Sequence, residues 1–244
     1  MATTLDEVMG WLERTGTARQ KAEQARYGIV APRAFGVAIG ALLQYAKKRP
    51  KDHALAAALW KTGWYEARLL AAMLDDPAQV TRRQMDAWAR AFDNWGLCDT
   101  VVWHLFDHTA FAWEKARAYA VSKDEFVKRA GFAMMAGRVA RDRTSPDQPF
   151  LDLLPLVERG AADERHFVKK GVNWALRRLG GHSPALHAAS TALARRLAAA
   201  PAAAPRWVGA DALRALAKGK PAELRARKAG ARKVATKKKA APKK

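Results

Sequence analysis

Cysteine is nearly absent: Cys98 is the single one among 244 residues. No intramolecular disulfide can staple the chain, so its stability must come from packing, as suits a reducing compartment. Acidic residues are scarce, with 23 Asp and Glu against 44 Lys and Arg. Long hydrophobic runs are missing too. No stretch reaches the roughly 18 uninterrupted apolar residues that span a bilayer. The opening "MATTLDEVMGWLERTG" lacks the apolar core of a signal peptide. A soluble cytoplasmic protein with no membrane association is expected. β-branched runs are short, which argues against a sheet.

Half of the residues are apolar, enough for a substantial core. The formal charge of +21 is unevenly distributed. From Lys218 to Lys244 there are 12 Lys or Arg and one acid, Glu223, so this tail carries +11 and leaves +10 on the body. The tail, ending "KVATKKKAAPKK", has no apolar face and is expected to be disordered, touching polyanions weakly or only aiding solubility. A compact body with that excess repels itself unless a polyanion sits nearby.

Before residue 218, Ala, Leu and Arg dominate and breaks fall at Pro or Gly, which predicts an all-α domain over 1–217 and a basic tail over 218–244. Helices are expected at 4–25, 34–48, 52–62, 64–75, 78–92, 97–106, 109–120, 123–139, 148–159, 163–180, 183–199 and 208–217. "SKDEFVKRAG" reads as a capping box, with Ser122 accepting from the Glu125 amide and Glu125 reaching back. "FVKRAGFAMMAG" at 126 and "FVKKGVNWALRR" at 167 repeat with an offset of 41 residues, within the period of HEAT and armadillo helical pairs. This favours an α-solenoid with a concave basic face, on which Arg129 and Lys170 hold equivalent positions.

Nine tryptophans are spread along the chain, and most are expected in the core. "DNWGLCDTV" at 93–101 sets Trp95 and Asp99 four apart, on one face if helical. Asp93 or Asp99 could equally cap a helix. "HFVKKGVNWALRRLGG" at 166–181 carries two stripes: Phe167, Lys170 and Trp174, continued by Arg177, and the aliphatic Val168, Val172, Leu176 and Leu179. The second stripe is the natural core face, leaving the first toward a ligand. His104 and His108 have helical metal-ligand spacing but no third ligand, so no metal site or cofactor is expected. Cys98 has no His partner and reads as a buried small side chain.

The segments "NWGLCD", "FVKRAGFAMMA" and "HFVKKGVNWALRRLGG", in that order, resemble the AlkD-like DNA alkylation repair glycosylases, a family of HEAT-like repeat proteins. "ALWKTGWYEARLLAAML" at 58–74 is more loosely similar to an earlier repeat of that family. The resemblance covers about residues 20 to 200. It implies that Asp99 is the catalytic carboxylate, that Trp95 and Trp174 are paired tryptophans of the site, and that Arg129 is the motif arginine. His166 and Phe167 fall on an aromatic pair, with His166 departing from it. Gly96 stands in place of an acidic residue and is expected to loosen its helix.

The implied activity is hydrolysis of the N-glycosidic bond of cationic N3- or N7-alkylated purines in duplex DNA, without strand cleavage, by a monomeric enzyme. Arg129, His166, Phe167, Lys170 and Arg177 would then contact the DNA. A non-catalytic DNA-binding repeat protein and a protein-interaction scaffold are the alternatives.

Overall fold

The computed structural model describes residues 3–142 and 145–218. The expected basic tail, after Lys218, lies outside the described residues. The described residues divide into two compact units, one up to Arg138 and one from Val139. Among the described residues every regular element is helical.

The first unit holds α1 (Leu5–Thr15), α2 (Ala18–Arg26), α3 (Ile39–Lys47), α4 (His53–Lys61) and α5 (Tyr65–Leu74). It continues with α6 (Arg82–Arg90), α7 (Trp95–His104), a 3-10 turn at Phe106–His108, α8 (Ala112–Ala120) and α9 (Glu125–Arg141), whose last residues belong to the second unit. The second contains α10 (Gln148–Leu151), α11 (Leu154–Gly160), α12 (His166–Leu179), α13 (Pro184–Ala198) and α14 (Ala203–Lys218).

Helix α5 is the hub of the first unit. "YEARLLAAML" is apolar on nearly all sides, and all but one of its ten residues are buried, as an all-round apolar helix requires. It packs on α1, α3, α4 and α7. Its one buried acid, Glu66, accepts from the amides of Phe35 (2.9 Å), Gly36 (2.8 Å) and Val37 (3.1 Å). These bonds hold 35–37 as an extended strap, with Gly36 at φ +80°, a conformation that favours glycine.

The strap explains two departures from the expected helices. Residues 35–37 do not join α3, because their amides serve Glu66 and Gly36 takes a non-helical φ of +80°. The expected helix 4–25 breaks at Gly16 and Thr17. A side chain on Gly16 would collide with the Phe35 carbonyl, Thr17 N–H donates to the Gly36 carbonyl at 2.9 Å, and the Thr17 hydroxyl caps α2. The expected helix 148–159 is also two, α10 and α11, with Pro155 in the first turn of the second.

The Ser122 capping box is absent. Helix α9 begins at Glu125, and Ser122 Oγ accepts from Asp124 N–H at 3.1 Å instead. The box that does form joins Thr4 and Glu7 at the start of α1. In the second unit, α12, α13 and α14 pack on one another, and Gly209 lets α14 approach the backbone of α13 at a distance that no side chain would allow.

Candidate functional site

Helix α7 carries the site of the first unit. Asn94, rather than Asp93 or Asp99, is its N-cap, accepting from Leu97 N–H at 2.9 Å. With the start fixed there, Leu97, Cys98, Val101 and Val102 fall in the core, and Trp95 and Asp99 share a less buried face one turn apart. The Trp95 indole donates to the Tyr27 carbonyl at 2.9 Å. That carbonyl is freed at the end of α2 by a Schellman turn, in which Gly28 N–H donates to Ala25 O and Ile29 N–H to Gln24 O. Gly28 takes φ +74° to make this turn.

Arg129 meets Asp99 from α9. Its Nε donates to Asp99 Oδ1 at 2.9 Å and its Nη2 to Oδ2 at 2.6 Å, a bidentate pair. The guanidinium carbon lies 6.0 Å from the centre of the Trp95 ring. Arg129 is only 7% exposed, whereas the Asp99 side chain keeps 22% of its surface open. Burial pulls the Arg129 pKa down, the Asp99 charge and hydrogen bonds push it up, and the net shift is upward. The guanidinium expected among phosphate contacts thus also grips a carboxylate with two of its nitrogens.

Gly96 packs tightly, contrary to the loosening expected of it. A Cβ there would stand 2.6 Å from the Tyr65 hydroxyl and 2.8 Å from Ile29 Cδ1. Tyr65 escaped the sequence reasoning, since nothing in "WYEAR" signals that its hydroxyl reaches α7. Burial first, then the charges of Glu66, Asp93 and Asp99, push its pKa up, so it stays neutral. Cys98 is fully buried and donates to the Phe126 carbonyl at 3.4 Å. Burial drives its thiol pKa well up, which leaves it no nucleophilic character. His104 ends α7 and His108 lies in the 3-10 turn, so the two do not share a helix face. Among the described residues no three His, Cys, Asp or Glu side chains gather as a metal site.

The remaining candidates share α12 in the second unit. Val168, Val172, Leu176 and Leu179 are completely buried, as the aliphatic stripe requires. Phe167 and Trp174 are half-buried, and His166, Lys170 and Arg177 are exposed. The His166 and Phe167 rings meet edge to face, 5.2 Å apart. Arg177 lies toward α14, 3.5 Å from Asn173 Oδ1 and 3.9 Å from an Asp211 oxygen. The repeat of 41 residues holds in helical register, since Arg129 is the fifth residue of α9 and Lys170 the fifth of α12. Their surroundings differ, Arg129 being buried and Lys170 exposed.

Among the described residues the chain is all-helical, and its fold is that of the HEAT-like repeat proteins. A model of the family described as "DNA alkylation repair enzyme" matches residues 8–224. The chain belongs to that family. It is similar in fold to a solved structure described as "a new family of proteins related to the HEAT-like repeat DNA glycosylases with affinity for branched DNA structures". That likeness has a TM-score of 0.73 at 23% identity, covering 90% of this chain and 98% of the other. No curated protein matches the chain significantly. Among the described residues no helix is long and apolar enough to cross a membrane.

Proposed function

We propose that the protein is a monofunctional DNA glycosylase that releases cationic N3- or N7-alkylated purines from duplex DNA. The observation that carries this reading is the Asp99 carboxylate, locked by Arg129 beside the Trp95 face yet still partly open. Packing alone has no use for an anion placed this way, since removing a charge pair from water is costly. An alkylated purine is already cationic and leaves without a general acid. As the glycosidic bond breaks, its electron pair passes to the purine nitrogen and neutralises it, and positive charge develops on the deoxyribose. Asp99, preorganised by two hydrogen bonds, stabilises that charge and orients the water that attacks C1′. The attacking water loses its proton to the carboxylate or to solvent, and the products are the free base and an abasic site. The Trp95 face, one turn from Asp99, favours the developing cation, while Trp174 and its α12 neighbours His166, Phe167, Lys170 and Arg177 serve the strand.

A second reading, duplex or junction binding without catalysis, draws on the fact that both Asp99 oxygens accept from Arg129 and on the affinity for branched DNA of the structurally similar protein. Incubation with a duplex carrying one N7-methylguanine decides between them. Abasic sites formed in a single turnover support the glycosylase. Tight binding of duplex or four-way junction without any base release supports the binder.

A further inference from the structure

Trp207 is the only one of the nine tryptophans whose side chain is exposed, at 38%. It lies on α14, and Lys169 of α12 sets its ammonium 5.4 Å from the ring centre. An indole face left partly in water forgoes part of its burial energy, and a lysine held over it adds charge to an already basic neighbourhood. Helix α12 carries Lys169, Lys170, Arg177 and Arg178 with no acid, and α14 carries Arg206, Arg214 and Lys218 with one. That acid, Asp211, is occupied, lying 2.9 Å from Arg214 and 3.9 Å from Arg177. Arg206 donates to the Ala200 and Pro201 carbonyls, so beside the ring the uncompensated charge is that of Lys169, with Lys170 next to it on α12.

We infer that the α12 and α14 faces form a docking surface for the sugar-phosphate backbone of duplex DNA, with Trp207 packing on a deoxyribose and Lys169 meeting the adjoining phosphate. Charge selects a polyanion, and the flat ring beside the ammonium matches the alternation of apolar sugar and anionic phosphate along a strand. The surface rests on the proposed duplex substrate, but it adds to affinity without touching the reacting bond. Trp207 is therefore a binding residue, independent of Asp99.

The full chain is tested for binding to an undamaged duplex and to heparin, a polyanion without deoxyribose. Trp207→Ala is expected to weaken duplex binding about fivefold while leaving heparin binding unchanged and lowering the melting temperature only modestly, as loss of a partly exposed ring requires. Trp207→Leu keeps apolar bulk on α14 and should show the same loss, which removes a folding explanation. Lys169→Gln should lower the slope of log affinity against log salt by about one for both polyanions. Duplex affinity unchanged in both Trp207 variants overturns the surface, and so does an equal loss for heparin. If the wild type binds duplex but releases no alkylated base, and the Trp207 variants lose duplex affinity, the glycosylase reading fails and the surface stands. If it releases base and the Trp207 variants bind like wild type, the surface alone fails.

Discussion

Arg129 grips both carboxylate oxygens of Asp99, at 2.9 and 2.6 Å, from a helix thirty residues further along the chain. The pair turns a flexible side chain into one of fixed orientation. It also changes what substitution does, because either partner leaves the other partly buried and unmatched.

Asp99→Asn is accordingly expected to act twice. Excision at saturating enzyme should fall at least about 100-fold, the scale of losing one preorganised electrostatic group. Stability should drop by about 2 kcal/mol as Arg129 loses its anion. Adding Arg129→Gln should restore much of the stability and none of the excision. Denaturant melts and single-turnover excision on the same two proteins check this, and recovery of both together would reduce Asp99 to a structural partner.

Trp174 is half-buried, so its truncation should cost less than the roughly 3 to 5 kcal/mol of a core tryptophan. Trp174→Ala is expected to lose about 1 kcal/mol of stability and at least about tenfold in excision. Lys170→Ala should weaken duplex binding alone. A collapse of the Trp174→Ala melting temperature would return this residue to the core.

Gly96→Ala should destabilise the protein by about 1 to 3 kcal/mol, since the added methyl overlaps the Tyr65 hydroxyl and Ile29. Tyr65→Phe removes the nearest obstacle, so the double variant should be more stable than the two single losses predict. Strict additivity in chemical denaturation would show that Tyr65 does not limit the space at Gly96.

Asp86 pairs with the nearly buried Lys115 at 2.7 Å and accepts from the Tyr119 hydroxyl at 2.9 Å. Burial raises its pKa, but the hydrogen bonds and charge of these partners lower it by more, so it lies below the ordinary 3.8. A depressed carboxylate contributes stability that is present above 3.8 and lost as pH falls through the folded value. Asp86→Asn should therefore cost about 2 kcal/mol at neutral pH, and the gap from wild type should narrow as the medium is acidified below 3.8. Urea unfolding across that range measures it. A constant gap would mean that the charge of Asp86 contributes nothing.

Local chemistry determined much of this protein. Ala- and Leu-rich segments punctuated by Pro and Gly specify helices wherever they occur, and the aliphatic stripe of α12 is written in its own spacing, because both depend on neighbours within one or two turns. Trp95 and Asp99 share a face for the same reason. Gly16 followed by Thr17 even signalled the end of α1 and the cap of α2, though the apolar pattern around them read as one helix.

Only the tertiary structure decided where the long side chains went. Glu66 reaches the amides of residues 35–37, which removes them from α3. Arg129 turns to Asp99, although Lys170 at the same helical register faces solvent. Asn94 wins the cap from the adjacent Asp93. Each outcome depends on a partner some thirty residues away or on competition between adjacent polar groups, and helical periodicity carries no record of either.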